Sequence, residues 1–378
     1  MRLKRCWNRY QYLVYPMSCW ILMAAVAFAI YGVASRSRRA PHRPETVTMK
    51  ENVHSMVLVV AYMRSGSSFL GDILQQHEPS FYVYEPLKEA VDRIDNNKTI
   101  VFFNGTERYI QTPEEKISFF VETLYNWFTC NFNDLDLSTL TSSYLLYYSK
   151  KTRTYYMCLK RHDYSQDGVV NCLRHLEATC VPAELRTIKS IRINMDTVHL
   201  LHQRLPSLKV IHVIRDPRGI MNSRFKVKLS NWINLETEVS ALCKRMARNK
   251  EIATIMNEEN VYIKEVVYEL LAEHPIGISE DIYKFAGLEF SPAVLKRVFK
   301  MTHYSPLARD CDWCTKRSNS TSTSLRWRTQ LDLAHALVID SQCVHLYNAI
   351  GYLPVHDLYH LRNLNMPLRR FILRSGPL

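Results

Sequence analysis

The 378-residue sequence predicts an α/β fold in which a mainly parallel β-sheet is flanked by helices. Short apolar runs rich in β-branched residues, such as residues 56–62 and 208–214, alternate with segments of helical periodicity. Two of these runs lead directly into a loop that contains Arg and Ser. Open parallel sheets bind ligands at the carboxyl ends of their strands, so these loops mark the expected site.

The predicted elements belong to one large domain at residues 56–378, and no internal repeat interrupts their order. Strands are predicted at 56–62, 81–84, 186–191 and 208–214. Helices are predicted at 67–76, 113–129, 169–178, 196–204, 217–224, 236–258, 279–286, 291–300 and 331–350.

The first loop, residues 63–69, joins a predicted buried strand to a predicted helix start. Gly66 permits backbone angles that other residues avoid, so successive amide N–H groups can turn toward one anion. The positive end of the following helix dipole favours the same charge. Arg64 adds a permanent cation. Further hydrogen-bond donors are the hydroxyl groups of Ser65, Ser67 and Ser68.

The second loop begins at Arg215, directly after the predicted strand 208–214. Pro217 suits the first turn of a helix, and Ser223 lies about two helical turns beyond Arg215. A helix here brings the Ser223 hydroxyl and the Arg215 guanidinium toward one ligand. This pair therefore predicts a second anion site.

Each loop by itself has an ordinary explanation. Ser-Gly-Ser-Ser is common turn chemistry, and Arg-Asp-Pro can cap a helix beside a surface ion pair. A nucleotide triphosphatase loop needs a Gly-Lys pair before its Ser or Thr, and residues 63–69 contain none. Together the two loops favour a ligand that carries phosphate at two separate points and needs no magnesium clamp.

The region before the domain has the pattern of a membrane anchor. Residues 12–34 contain no charged side chain and are long enough to cross a bilayer as a helix. A cleaved signal peptide is the alternative, with a weak small-residue site at 33–35. We expect a cytoplasmic tail at 1–11, a retained signal anchor at 12–34 and a polar stem at 35–55.

Glycosylation sequons favour a lumenal position for the large domain. Basic residues flank both ends of the segment 12–34, so charge alone does not decide its orientation. Sequons are meaningful only in the secretory pathway. They begin at Asn97, Asn104 and Asn319.

The cysteines agree with an oxidising compartment. An even number in a lumenal domain favours disulfides, whose pairing the sequence leaves open. Cys311 and Cys314 form a Cys-x-x-Cys pattern, for which a redox or zinc site is the alternative. The cysteines of the domain are Cys130, Cys158, Cys172, Cys180, Cys243, Cys311, Cys314 and Cys343.

Positive charge is concentrated near the amino terminus. The formal net charge is +13, but residues 1–50 hold nine Lys or Arg and one Glu, which leaves about +5 for the remainder. A moderately basic domain without a recognition motif argues against nucleic-acid binding. A local positive cleft for an anionic nucleotide or glycan is compatible with this charge.

These motifs resemble the lumenal carbohydrate sulfotransferases, specifically the galactose, N-acetylgalactosamine and N-acetylglucosamine 6-O-sulfotransferases. One departure lies at residues 267–271, where the family's Arg-Tyr-Glu-Asp-Leu is replaced by Val-Tyr-Glu-Leu-Leu. The matching stretches, in the family's order, are residues 64–69, 84–87, 211–224, 283–288, 327–328 and 351–352.

The resemblance implies a P-loop-like sulfotransferase fold and the co-substrate 3'-phosphoadenosine 5'-phosphosulfate, with no metal. It assigns the 5'-phosphosulfate to residues 64–69 and the 3'-phosphate to Arg215 and Ser223. Arg64 would stabilise charge on the leaving phosphate oxygen, and Glu85, at the end of a predicted strand, is the candidate base. The implied donor-binding residues are Arg64, Ser65, Gly66, Ser67, Ser68, Phe69, Arg215 and Ser223.

The activity implied by the resemblance is sulfate transfer to the 6-hydroxyl of Gal, GalNAc or GlcNAc. The acceptor is a glycan on a glycoprotein or proteoglycan, and the enzyme is a single-pass type II protein of the Golgi membrane. Two alternatives remain: a protein-tyrosine sulfotransferase, and a catalytically inactive glycan-binding membrane protein of the same fold. The sequence leaves open whether the protein forms a homo-oligomer.

Overall fold

A five-stranded sheet forms the centre of the domain in a computed structural model of the protein, which describes residues 54–304 and 311–370. The strands are β1 Ser55–Val60, β2 Ser80–Tyr84, β3 Ile100–Val101, β4 Glu107–Arg108, β5 Leu185–Ser190, β6 Lys209–Ile214 and β7 Ile263–Val267. The sheet has the order β2-β5-β1-β6-β7, and all neighbouring strands in it are parallel. The predicted α/β class is confirmed. Strands β3 and β4 form a separate antiparallel pair.

Helices surround the central sheet. Between β1 and β5 in the sequence they are α1 Ser67–Leu74, α2 Lys88–Asp95, α3 Pro113–Phe128, α4 Leu137–Leu140, α5 Tyr144–Tyr147, α6 Arg153–Arg161, α7 Gln166–Cys172 and α8 Arg174–Cys180. Between β5 and β7 they are α9 Met195–Arg204, α10 Pro217–Lys226 and α11 Leu235–Glu258. After β7 they are α12 Tyr268–Glu273, α13 Pro275–Ala286, α14 Pro292–Thr302, α15 Ser320–Leu325, α16 Trp327–Gln330, α17 Leu333–Ile350 and α18 Leu358–Arg362.

The four predicted strands are all present, with small differences at their ends. Strand β7 was not predicted, because its five residues mix charged and apolar side chains without a continuous apolar run. The single helix predicted at 169–178 is wrong, since α7 and α8 are separate helices that meet at Leu173. Several short helices, α4 and α5 among them, were also missed because one turn is too short to show helical periodicity.

The strand register brings the predicted loops to one edge of the sheet. Val60, the last residue of β1, pairs with Ser190 of β5 and His212 of β6. Tyr84, the last residue of β2, pairs with Lys189 of β5. Because these strands are parallel, the loops that follow β1, β2 and β6 leave the sheet on the same side.

Strand β1 is buried on both faces, as its uninterrupted apolar sequence predicts. Leu58 and Val60 belong to a core with α3 and α9, whereas Val57 and Val59 belong to a core with α1 and α13. A third core, which contains α11, α17 and Trp327, lies beyond β6. The sheet therefore gives the site loops a rigid support.

Four disulfides join the eight cysteines of the domain, which confirms the predicted disulfide framework. Cys243 and Cys343 connect α11 to α17 across 100 residues of sequence. Cys311 and Cys314 are bonded to each other, so in this form their sulfurs do not serve a zinc ion. The other two pairs are Cys130–Cys180 and Cys158–Cys172.

The predicted tail at 1–11, the anchor at 12–34 and all but the end of the stem at 35–55 lie outside the described residues. Within the described ranges, no helix is long and apolar enough to span a membrane. The membrane topology therefore stays a prediction.

Candidate functional site

A tight loop between β1 and α1 forms the first predicted anion site. The Ser65 N–H donates to the Tyr62 carbonyl at 3.0 Å, and the Ser65 hydroxyl accepts from the Tyr62 N–H at 3.2 Å. Arg64 and Gly66 both have positive φ, at 71° and 91°. Helix α1 begins immediately afterwards at Ser67, so its first amide N–H groups lie at this loop.

Gly66 is needed for its space as well as for its backbone angle. A Cβ atom at this position would lie 2.1 Å from Cδ2 of Tyr268, which is far inside van der Waals contact. Tyr268 is the first residue of α12, and its ring packs directly against the loop. Any other residue at position 66 would displace this ring or the loop.

The second predicted site is held by the start of α10. Asp216 caps the helix by accepting from the Arg218 N–H at 2.9 Å, and Pro217 is the first helical residue. The buried Arg218 guanidinium forms an ion pair with Asp216 at 2.8 Å. The Asp216 N–H donates to the Glu269 carboxylate at 3.2 Å. These contacts fix the backbone that carries Arg215.

The Arg215 side chain is buried, yet its hydrogen bonding is incomplete. Its guanidinium carbon lies 4.4 Å from the ring centroid of Tyr268, and Nη1 donates to the Arg64 carbonyl at 2.7 Å. Its Nε has no hydrogen-bond partner within residues 54–304 and 311–370. Gly219 permits this arrangement, because a Cβ there would lie 3.2 Å from Arg215 Nε and 3.1 Å from Trp327. A buried donor without an acceptor is costly, so Arg215 is suited to receive an anion.

The Arg64 side chain joins the two predicted anion sites. Its Nε donates to the Ser223 hydroxyl at 3.0 Å and its Nη2 to the Asp312 carbonyl at 2.5 Å, while the guanidinium lies 4.7 Å from the Trp313 ring centroid. Burial lowers the pKa of Arg64, and the nearby charge of Arg215 lowers it further. Among the described residues, neither guanidinium forms an ion pair with a carboxylate.

Glu85, the predicted base, follows β2 and is buried with a φ of 51°. Its carboxylate contacts Nζ of Lys189 and lies 3.5 Å from Nε of Arg192. The sequence analysis missed Lys189, although a lysine inside an otherwise buried strand was a usable signal. The role of Glu85 as a base stays a prediction.

These side chains line a single cavity of about 360 Å³, a volume typical of small-molecule sites. Ser65 does not line it, because the Ser65 hydroxyl is engaged with the backbone of Tyr62. The predicted residues that reach its wall are Arg64, Gly66, Ser67, Ser68, Phe69, Glu85, Arg215 and Ser223.

The cavity wall is strongly basic. Its described acidic residues are Glu85 and Asp312, and each already contacts a lysine. Its basic residues are Arg64, Lys189, Arg192, Arg215, Lys226, Arg317 and Arg326. This excess of cations, together with the unpaired Arg215 Nε, fits a ligand with several negative charges. A nucleotide with phosphate at two points meets that requirement.

Residues 57–292, from β1 to the first residue of α14, match the sulfotransferase family. The chain therefore belongs to this family, and the resemblance found in the motifs is confirmed. Its central parallel sheet with flanking helices is the sulfotransferase α/β fold.

The chain is also similar along most of its length to individual sulfotransferases. Carbohydrate sulfotransferase 5 of Mus musculus is 23% identical over 384 residues, which cover 92% of this chain and 91% of that protein. Carbohydrate sulfotransferase 1 of Danio rerio is 25% identical over 352 residues, which cover 82% and 81%. The solved sulfotransferase domain of the Synechococcus PCC 7002 olefin synthase has 14% identity and a TM-score of 0.40, covering 77% of this chain and 94% of that one.

Proposed function

We propose that this protein transfers sulfate from 3'-phosphoadenosine 5'-phosphosulfate to the 6-hydroxyl of a Gal, GalNAc or GlcNAc unit. The observation that carries the proposal is the meeting of the partly buried Arg64 with the buried Arg215, two guanidiniums that have no carboxylate partner among the described residues. Membership of the sulfotransferase family supports the reaction. The names of the carbohydrate sulfotransferase relatives support a carbohydrate acceptor, which in this proposal is a glycan on a glycoprotein or proteoglycan.

The donor, when bound, supplies an activated sulfuryl group on a phosphate that can leave. In this proposal the amide groups from Gly66 into α1 hold the 5'-phosphosulfate, and Arg64 stabilises charge on the leaving oxygen. Arg215 and Ser223 hold the 3'-phosphate, which gives Arg215 Nε the acceptor that it lacks. Because Arg64 bonds to Ser223, both groups lie within reach of one ligand. Ser65 supports the loop and is not itself a donor contact.

Glu85 takes the proton from the acceptor hydroxyl in this mechanism. Its carboxylate is buried and contacts Nζ of Lys189. Lys189 thus holds Glu85 in position.

The proposed setting is the Golgi membrane. Residues 1–11 would face the cytoplasm, residues 12–34 would anchor the chain, and a stem at 35–55 would carry the domain at 56–378 into the lumen. The four disulfides support an oxidising compartment. The exposed positions of Asn97 and Asn104 support access of a glycosylating enzyme to the first two sequons.

The test is sulfate incorporation by the purified full chain from 3'-phosphoadenosine 5'-phosphosulfate into keratan, chondroitin and a tyrosine-containing peptide. We expect transfer to a glycan, with the sulfate mapped to carbon 6 of the modified sugar. Transfer to the peptide alone would identify a tyrosine sulfotransferase instead. Tight binding of adenosine 3',5'-bisphosphate without transfer would identify an inactive binding protein.

Replacement of Glu85 by Gln tests the proposed base. The amide keeps the shape of the side chain but cannot accept the proton, so we expect turnover to fall about 100-fold or more while donor affinity changes little. Turnover and the affinity for adenosine 3',5'-bisphosphate are measured side by side. Glu89→Gln on α2 is the matched control, because Glu89 does not line the cavity. Equal losses of turnover and donor affinity would assign Glu85 a structural role.

A further inference from the structure

Three tyrosines form a stacked group in the wall of the cavity. The ring centroids of Tyr84 and Tyr148 are 4.1 Å apart with planes inclined by 26°, and those of Tyr84 and Tyr144 are 5.9 Å apart with planes inclined by 18°. All three rings line the cavity and are only partly buried. Tyrosines that serve the core alone are fully buried here, as Tyr155 is. The partial exposure of the stack points to a ligand.

The stack lies next to the groups proposed for proton transfer. Nζ of Lys189, which contacts Glu85, is 4.4 Å from the ring centroid of Tyr84. The Tyr84 hydroxyl is 3.3 Å from the Ser68 hydroxyl at the start of α1. A ligand on these rings is therefore adjacent to both the candidate base and the first anion-binding loop.

The sheet order separates this stack from the proposed 3'-phosphate site. Tyr84 ends β2, Arg215 follows β6, and strands β5 and β1 lie between them. Three strand spacings amount to about 14 Å along the sheet edge. Arg64 follows the intervening β1, so the three regions succeed one another along one edge. A donor bound at the carboxyl ends of β6 and β1 leaves the carboxyl end of β2 for the second substrate, the sulfate acceptor.

The backbone beside the stack is fixed before any ligand binds. Gln75, at the carboxyl end of α1, donates through Nε2 to the Tyr148 carbonyl at 3.1 Å and accepts from the Lys150 N–H at 3.1 Å. The Ser149 hydroxyl accepts from the Tyr84 N–H at 3.1 Å. A site held in this way loses little conformational freedom on binding.

We propose that Tyr84, Tyr144 and Tyr148 are the acceptor platform, on which a pyranose ring stacks its C–H face while a hydroxyl points toward Glu85. This inference rests on the proposed function and locates the binding site of the acceptor, its second substrate. A pyranose of the galactose type has one face of C–H groups that suits an aromatic ring, and its hydroxyls suit the phenol edges and Lys189. Stacking and polar contacts together are the usual composition of a small-molecule site.

The platform is tested with Tyr148→Ala and Tyr144→Ala in the full chain, using a desulfated keratan oligosaccharide as acceptor. We expect the KM for the oligosaccharide to rise about tenfold or more, because each substitution removes a stacking surface. The affinity for adenosine 3',5'-bisphosphate should stay within about twofold, since neither ring belongs to the donor loops. Tyr148→Phe, which keeps the ring, should retain most of the acceptor affinity.

Tyr262→Ala is the matched control, because Tyr262 is an exposed tyrosine just before β7, at the amino-terminal edge of the sheet. This substitution should change neither the KM for the oligosaccharide nor the affinity for adenosine 3',5'-bisphosphate. The platform is overturned if the Tyr148 and Tyr144 variants keep the parental acceptor KM, or if they lose acceptor and donor binding together. It is also overturned if the parental chain accepts only the tyrosine peptide.

A binding measurement separates failure of the platform from failure of the proposed function. Saturation-transfer NMR of the oligosaccharide, with adenosine 3',5'-bisphosphate present, reports sugar contacts without requiring turnover. We expect transfer to the sugar C–H protons with the parental chain and its loss with Tyr148→Ala. Sugar binding that depends on Tyr148 without any sulfate transfer would contradict the proposed reaction and support the platform. Absence of sugar binding in the parental chain would overturn the platform.

Discussion

At the scale of single residues, Tyr268 shows how one side chain positions two binding loops. Its ring occupies the space that a Cβ at position 66 would need, and the guanidinium carbon of Arg215 lies 4.4 Å from its centroid. The neighbouring Glu269 accepts from the Asp216 N–H and from the Tyr352 hydroxyl. The Tyr-Glu pair belongs to the family's Arg-Tyr-Glu-Asp-Leu sequence, of which this chain retains Tyr268, Glu269 and the final Leu271. Tyr268 and Glu269 position the loops.

The incomplete hydrogen bonding of Arg215 leads to a prediction about Arg215→Ala. Loss of a charged donor should weaken binding of adenosine 3',5'-bisphosphate roughly 100-fold, since a hydrogen bond to a charged group contributes about 1.5–3 kcal/mol. The melting temperature should not fall, because removal of a buried charge without a carboxylate partner relieves a desolvation cost. Calorimetric titration and thermal unfolding of the full chain measure the two effects.

Arg174→Ala, on the exposed side of α8, is the control for Arg215→Ala and should change neither the nucleotide affinity nor the melting temperature. The opposite pattern, with unchanged nucleotide affinity and a large loss of stability, would show that Arg215 is a structural residue. Arg215→Lys should recover only part of the affinity, because an ammonium lacks the planar fork of a guanidinium.

At the scale of elements, β7 is tied to α11 by a partly buried ion pair. Nζ of Lys250 lies 2.6 Å from each carboxylate oxygen of Glu265. Burial by itself raises the pKa of Glu265, but attraction to His212 and Lys250 outweighs it and lowers the pKa from 4.5 to about 2. The edge strand β7, which was not predicted from the sequence, is thus held by this ion pair as well as by its pairing with β6.

The lowered pKa makes the contribution of Glu265 dependent on pH. A carboxyl group with a lowered pKa in the folded state stabilises that state above its unfolded pKa and loses this effect as pH falls toward the folded pKa. Glu265→Gln should therefore reduce the free energy of unfolding by up to about 3 kcal/mol at pH 7. The difference from the parental chain should shrink between about pH 4.5 and pH 2.

Urea unfolding of the two proteins at pH 7 and pH 3 measures the Glu265 effect. Glu280→Gln, at an exposed position of α13, should match the parental chain at both values. A deficit of the Glu265 variant that is equal at both pH values would contradict a role for the carboxylate charge.

The disulfides differ greatly in the length of chain that they close. In the loop-entropy relation, a crosslink across 100 residues stabilises by about 4.7 kcal/mol, and one across three residues by about 1.6 kcal/mol. Replacing Cys243 and Cys343 together by Ala should thus lower the melting temperature more than replacing Cys311 and Cys314. Thermal unfolding under non-reducing conditions compares the two double variants, and equal losses would contradict this ranking.

At the scale of the whole molecule, parallel strands bring together residues that are distant in sequence. Arg64 and Arg215 are joined by a hydrogen bond because β1 and β6 are neighbours in the sheet. Glu85 meets Lys189 because β2 and β5 are neighbours. The proposed donor and acceptor regions then follow the strand order along one edge of the sheet.

The proposed lumenal position of the domain predicts N-glycosylation of the full chain made in animal cells. Asn97 and Asn104 are exposed, and so is Asn319, although its side chain caps α15 by accepting from the Ser322 N–H at 2.8 Å. Peptide N-glycosidase should reduce the apparent mass of the protein, and Asn97→Gln and Asn104→Gln should each remove one step. A mass unchanged by the enzyme would contradict the proposed topology.

Local sequence patterns were sufficient for the elements with strong periodicity and for the loops that follow them. Gly66 and Pro217 supported that prediction because a single Gly indicates a positive φ and a single Pro indicates the start of a helix. Lys189 was missed since its partner Glu85 is distant in sequence. The hydrogen bond between the Ser65 hydroxyl and the Tyr62 backbone, which turns this side chain away from the cavity, could not be predicted from the sequence.

The amino-acid sequence by itself determined the α/β class and the two loops rich in Arg and Ser, since each depends on short-range patterns of polarity and turn chemistry, while the family followed from the resemblance of its motifs. Only the tertiary structure decided that Arg64 reaches Ser223, that Lys189 pairs with Glu85, and which cysteines join. These contacts depend on which strands lie side by side. Strand order arises from the packing of the whole chain and leaves no local signal in the sequence.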